Sequence, residues 1–257
     1  MEKIIIKSKE QIEGIRKSSQ LAGNVLLMIQ DYVKPGVSTL ELDNIINKYI
    51  IDHGAVSATL GYYGYPKSSC ISLNEVVCHG IPSEDTILKD GDILNIDVTT
   101  ILGGYFGDTS KMYTVGKISD TADKLIKTAK HSMDLGIQQV HPENVIGNIG
   151  FVIGRYAHSQ KFSVVYEYCG HGVGIEFHEE PQVDHIARKN SGEEMRPGMI
   201  FTIEPMINEG KASTHTDKTD GWTVTTKDKK LSAQFEHTIL VTENGFDVLS
   251  DVSGEYK

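Results

Sequence analysis

The chain is 257 residues long, 39% apolar and 23% charged, and its 25 basic and 35 acidic side chains leave a formal charge of −10. A chain of this size and mix builds one or two globular domains whose cores need no disulfide or metal staple. The acidic balance argues against a sequence-independent grip on nucleic-acid phosphates, no stretch is apolar enough to cross a membrane, and Ile4-Ile5-Ile6 before Lys7 is too short for a signal-peptide core.

Ser8 is placed to cap a first helix whose inward face, Ile12, Ile15, Ala22, Leu26, Ile29 and Val33, recurs at helical spacing until Pro35-Gly36 ends it. Ser38-Thr39-Leu40-Glu41 reads as a capping box that opens a second helix through Leu42, Ile45, Ile46 and Tyr49. Strand-like runs rich in Ile, Val, Thr and Tyr follow, punctuated by Gly and Pro. Thr121 to Val140 and Asn144 to about Ser159 read as two more helices split by Pro142, and strand-like runs follow again. Three cysteines, Cys70, Cys78 and Cys169, lack zinc-type spacing; they read as small buried or pocket-lining thiols and fit a reducing, cytoplasmic compartment.

The plan of helix, helix, antiparallel strands is thus written twice, and the sequence repeats with it. Lys89-Asp90-Gly91-Asp92-Ile93-Leu94-Asn95-Ile96-Asp97 realigns on Arg196-Pro197-Gly198-Met199-Ile200-Phe201-Thr202-Ile203-Glu204 at an offset of 107, which also carries Val33-Lys34-Pro35 onto Val140-His141-Pro142. Solenoid units are far shorter, roughly 20–50 residues, so this is a duplicated half-domain. The expected fold is α+β: one catalytic domain over 1–257, with halves of about 1–118 and 119–257 related by a pseudo-twofold axis. A joint curved antiparallel sheet would carry the helices on its outer face and the site on its inner face, where Asp97 and Glu204 meet.

Asp97 ends the apolar run from Ile93, and Asp108 lies in Tyr105-Phe106-Gly107-Asp108-Thr109. A tight loop at Leu102-Gly103 would pair Ile101 with Gly104 and set Asp97 directly opposite Asp108, Cβ atoms roughly 4.5–5.5 Å apart on one face. Two carboxylates that close are unfavourable unless a cation lies between them; a looser turn would leave both facing water. Glu204 and Glu236 each interrupt a strand that otherwise reads as core, and neither strand offers a nearby Arg or Lys as the partner a buried carboxylate needs. His171 stands in Cys169-Gly170-His171-Gly172-Val173-Gly174, where glycines allow close backbone approach. Four carboxylates with one imidazole suit two divalent cations roughly 3.5–4 Å apart, Mn(II), Fe(II) or Co(II) being favoured by the oxygen-rich set; a purely structural tetrahedral zinc site is disfavoured. His79 and His178, each taken by itself, read as ordinary histidines.

At these residues the chain resembles the methionine aminopeptidases, in their short bacterial type I form. The resemblance runs from Ile12 to about Leu249. Its strongest pieces are Gly61-Tyr62-Tyr63-Gly64-Tyr65-Pro66-Lys67-Ser68, Asn74-Glu75-Val76-Val77-Cys78-His79-Gly80-Ile81-Pro82, Gly107-Asp108-Thr109-Ser110, Phe177-His178-Glu179-Glu180-Pro181, Phe201-Thr202-Ile203-Glu204-Pro205-Met206 and Ser232-Ala233-Gln234-Phe235-Glu236-His237-Thr238.

What the resemblance implies is a pita-bread fold and an exopeptidase that removes the initiator methionine when the second residue is small. Its two divalent metal ions, with Co, Mn, Fe and Zn all open, would be held by Asp97, Asp108, His171, Glu204 and Glu236 and would activate a water whose proton Glu204 moves. His178 would bind the peptide carbonyl and His79 would lie near the scissile amide. Tyr62, Tyr65, Cys70, Phe177 and Trp222 would form the methionine pocket, and backbone oxygens of Asn74, Val76 and Ser232 would hold one structural monovalent cation. The implied partners are N-termini of peptides and nascent polypeptides, with a monomer expected and ribosome association left open. Thr59, Tyr63 and Ile175-Glu176 depart from the pattern of close bacterial relatives around the pocket mouth. Proline-specific pita-bread peptidases and a non-catalytic binding protein on the same fold are the rival readings. The first usually carries an extra N-terminal domain and a second active-site histidine ligand; the second is expected to have lost ligands.

Overall fold

A computed structural model describes residues 4–256. Helix α1, Lys9–Ile29, starts where Ser8 Oγ accepts from Gln11 N and Gln11 returns its side chain to the Ser8 amide, a complete capping box. It ends earlier than its apolar spacing suggests, passing into a 3-10 turn at Gln30–Tyr32. Helix α2, Thr39–Asp52, is capped by Ser38 Oγ, which accepts from Glu41 N. Helices α3, Asp120–Ile137, and α4, Gly147–Ser159, repeat the pair. Helix α4 begins three residues later than Asn144 because the chain before it pairs instead with the 191–195 segment: Ile146 N donates to Glu193 O, Gly147 N to Ser191 O, and Met195 N to Asn144 O.

Each helix pair covers one face of an antiparallel sheet. The Ile93–Leu102 strand is the spine of the N-terminal sheet, with Tyr105–Thr114 on one side and Cys70–Leu73 and Val56–Ser57 on the other. In the C-terminal sheet the order is Gly245–Val248, His237–Thr242, Ile200–Ile203, Gly170–Gly172, Glu179–Val183. The two spines begin at Ile93 and Ile200, 107 residues apart. Strand alternation sends Leu94, Ile96 and Val98 into one core beneath α1 and α2, and Phe201 and Ile203 into a second core beneath α3 and α4. Asp97 and Glu204 follow the opposite parity and face away from the helices. The sheets join where Glu236 N donates to Ser110 O (3.1 Å) and Ser110 N to Glu236 O (3.4 Å). No helix among the described residues is long and apolar enough to cross a membrane.

Candidate active site

The hairpin that carries both aspartates turns at Gly103-Gly104, not at Leu102-Gly103, and its register places Asp97 opposite Ser110 and Asp108 opposite Thr99. The two aspartates are therefore diagonal neighbours, not directly facing partners. Because the shift is two residues, both keep the same sheet face. Thr99 Oγ1 donates to Asp108 Oδ1 at 2.8 Å, and on its other side Asp97 pairs with Cys70. Across the seam, Thr238 Oγ1 donates to the Asp108 carbonyl (2.7 Å) and Thr109 Oγ1 to that of Glu236 (2.7 Å), so these two ligand-bearing segments are laced together by side chains as well.

His171 sits between two glycines that no other residue could replace. A Cβ on Gly170 would lie 2.4 Å from Thr202 O, and one on Gly172 would lie 2.3 Å from Glu180 O. The His171 amide donates to Thr202 Oγ1 (3.0 Å), and the same hydroxyl donates to Glu204 Oε1 (2.7 Å), so one threonine positions two candidate ligands. His171 Nδ1 lies 3.0 Å from Gly172 O, the arrangement that puts the ring proton on Nδ1 and turns the Nε2 lone pair inward. Nε2 is 3.8 Å from Asp108 Oδ2 and 3.5 Å from Glu204 Oε1.

Burial dominates the electrostatics. It raises the carboxyl of Asp97 well above its usual range, with the charge of Asp108 adding to the effect, and it lifts Asp108 to about 7 against the bond from Thr99. Glu204 and Glu236 are likewise raised, first by burial and then by the neighbouring aspartates, Thr202 opposing in the case of Glu204. Burial also drives His171 down to about 4 and keeps it neutral. Among the described residues, none that lines this cavity is Lys or Arg. Four crowded carboxylates with no cationic side chain and one inward lone pair fit divalent cations. Ligand atoms of Asp108, His171 and Glu236 already lie within 4.8 Å of one another.

The cavity above this floor is about 430 Å³. All twelve residues singled out from the sequence line it: the five candidate ligands, His79, His178, Tyr62, Tyr65, Cys70, Phe177 and Trp222. Trp222 stands edge-on to Tyr65 at 5.2 Å and to His79 at 5.9 Å, while Phe177 stacks on His178 at 4.4 Å. Tyr65 is fixed by its hydroxyl, which donates to Ser69 O (3.1 Å) and Gly80 O (3.0 Å). Tyr62 Oη lies 2.9 Å from His178 Nδ1, and burial, reinforced by the neighbouring histidines, lowers His178 to about 3. Thr59 and Tyr63 line the mouth; Tyr63 is 84% exposed, at a φ of +44°. Asn74 and Ser232 meet through Ser232 N donating to Asn74 O at 2.8 Å.

Sequence reasoning overlooked the uncharged supports. Besides Thr99 and Thr202, buried His185 accepts from Glu204 N at 3.1 Å, and Gln234 Nε2 donates to Glu204 O and Oε2, both at 3.3 Å. A threonine two residues before a strand carboxylate shares its face and was a usable signal for Thr202. His185 and Gln234 arrive from distant segments with no local signal. Glu167, also unforeseen, lines the outer wall and is tied to Thr214, whose amide donates to Glu167 Oε2 at 2.9 Å.

Carboxylates and an imidazole gathered without a cationic side chain, at the floor of a cavity in a two-fold α+β sheet, define a metallohydrolase. The chain matches the model of metallopeptidase family M24 over residues 13–243. It is 55% identical to the methionine aminopeptidase of Escherichia coli (strain K12) over 248 residues, 96% of this chain and 94% of that one. It superposes on the crystal structure of methionine aminopeptidase from Rickettsia prowazekii with a TM-score of 0.95 at 46% identity, covering 97% of this chain and 100% of that one. The enzyme from Thermotoga maritima gives the same TM-score at 32% identity and the same coverage. The chain belongs to metallopeptidase family M24, among its methionine aminopeptidases, and its fold is their pita-bread fold.

Proposed function

We propose that this protein removes the N-terminal methionine from peptides and nascent polypeptides whose second residue is small, acting as a cytoplasmic monomer. The convergence of five metal-type ligands from both halves beneath an aromatic cavity supports this reading most. Asp97, Asp108, His171, Glu204 and Glu236 would hold two divalent ions drawn from Co, Mn, Fe and Zn; when bound, these supply an acidified water and a Lewis acid. Glu204, aimed by Thr202, moves the proton from the attacking water to the departing amine. His178, kept neutral by burial, stabilises the oxygen that becomes negative, and His79 acts at the amide nitrogen. The carboxylate floor receives the free α-amino group, which restricts cleavage to N-termini.

Tyr62, Tyr65, Cys70, Phe177 and Trp222 form the slot for the thioether, soft and unbranched enough to fill an aromatic-lined gap. Carbonyls of Asn74, Val76 and Ser232 hold a structural monovalent cation. The whole is one catalytic domain made by duplication of halves of about 1–118 and 119–257. The test is metal content measured together with Met-Ala-Ser hydrolysis: methionine release that scales with metal occupancy supports the reading, and metal-loaded protein that releases no methionine overturns it.

A further inference from the structure

The N-terminal segment is tied through one buried ion pair to Glu179, next in sequence to the cavity-lining Phe177 and His178. Lys7 Nζ bonds to Glu179 Oε2, and both side chains are withdrawn from solvent, 0% and 3% exposed. The backbone of the segment is fastened as well, since Lys7 N donates to Gly198 O at 2.9 Å. Gly198, at a φ of +87°, leaves room for it, because a Cβ there would lie 2.8 Å from Ile6 Cγ2.

Glu179 uses its other oxygen differently. Oε1 accepts from the amides of Ile175 (2.6 Å) and Glu176 (2.9 Å). The carboxylate thereby closes the short loop whose remaining residues, Phe177 and His178, both line the cavity. Two adjacent amides aimed at one oxygen hold the backbone in a single shape only while that acceptor stays in place. Buried, it needs a cation, and among the described residues Lys7 is the only one within ion-pair distance of it.

We propose that Lys7 is a positioning residue for Phe177 and His178: by neutralising Glu179 it keeps the two-amide clasp shut and so holds the tip of the 175–178 loop over the metal floor. The proposal rests on His178 contacting substrate, as argued above. A misplacement of about 1 Å at such a group costs on the order of 100-fold in rate, so a residue outside the cavity has leverage on the chemistry.

The test uses the full-length, metal-loaded protein with Lys7→Met, which keeps the apolar stem and removes the charge, and the double variant Lys7→Met/Glu179→Gln, which restores neutrality and retains an acceptor oxygen. In Lys7→Met, amide exchange at Ile175 and Glu176 is expected to accelerate at least about tenfold relative to the sheet, and kcat to fall about 10- to 100-fold with a smaller change in KM and unchanged metal content. The double variant should regain much of both. Unchanged exchange at Ile175 and Glu176 overturns the clasp, as does a kcat per metal-loaded molecule equal to that of the parent. A purely structural lysine would lower Tm without altering kcat of the folded fraction. If Lys7→Met fails to fold, Lys7→Gln, which also removes the charge but keeps a polar head beside Glu179, takes its place and is judged by the same two readouts. If the parent protein releases no methionine, the functional reading fails, and the exchange measurement still judges the clasp.

Discussion

Ser110 and Glu236 exchange backbone hydrogen bonds across the boundary between the two sheets, and the carboxylates of Asp108 and Glu236 are set at that joint. The candidate ligands Asp108 and Glu236 are thus joined through backbone hydrogen bonds between the two sheets. An ion that binds them also ties the halves together, and its removal is felt in stability as well as activity.

Exhaustive chelation is therefore expected to abolish methionine release and to lower Tm, with Mn(II) or Co(II) restoring both. Activity that survives removal of all metal, verified by elemental analysis, would refute the metal-dependent reading.

Proton transfer and metal binding separate by mutation. Glu204→Gln keeps a coordinating oxygen but loses the base, so kcat should fall about 10²- to 10⁴-fold with a smaller loss of metal. His171→Ala should mainly weaken metal binding, by about 10- to 100-fold. Thr202→Val, which removes the hydroxyl shared by His171 and Glu204, should depress both modestly, as loss of an outer-shell partner does. Wild-type turnover by metal-loaded Glu204→Gln would assign the base elsewhere.

The metal-free protein should lose stability as pH rises from about 6.5 to 8.5. Burial raises the folded-state carboxyls, Asp108 to about 7 and Asp97, Glu204 and Glu236 well upward, so in this window the folded state binds more protons than the unfolded chain. Stability then falls with pH. The depressed histidines, His171 at about 4 and His185 at about 3, act only below their unfolded value of roughly 6.5, where neutral burial costs stability as pH drops. Calorimetry of chelated protein across this range checks the sign. With Mn(II) bound the decline should vanish, and a flat profile without metal would contradict it.

In the slot formed with Tyr65 and Trp222, norleucine should replace methionine with a loss of roughly 1–3 kcal/mol at most in kcat/KM terms, and branched leucine should fare much worse. Trp222→Ala should raise KM and narrow the gap between Met and Leu. With Tyr63 and His79 both lining the cavity, Met-Gly, Met-Ala and Met-Ser termini should be cut and Met-Lys and Met-Leu spared. A peptide panel checks this; preferential release of Leu or Pro would exclude methionine specificity.

Much of this was legible in the sequence because the chemistry is charged and repeated. Asp97 and Glu204 are visible as register-matched carboxylates closing two apolar runs, although the first strand continues past Asp97 to Leu102 while the second stops at Ile203, and the helix caps at Ser8 and Ser38 mark real helix starts. The hairpin turns one residue later than the Leu102-Gly103 loop that the sequence suggests. A two-residue turn of the kind that follows strand twist needs positive φ at both central positions, and Gly103 (+60°) and Gly104 (+84°) satisfy it where Leu102 does not. The supports of Glu204 from His185 and Gln234 were invisible because only the tertiary fold brings those segments together.

The division of ligands between the halves has a practical side. Gly116 and Lys117 are exposed between the Tyr105–Thr114 strand and α3. A chain opened there yields one fragment with Asp97 and Asp108 and another with His171, Glu204 and Glu236, neither holding all five candidate ligands. Catalysis would then count reassembled pairs alone, making the protein a ready reporter of fragment complementation.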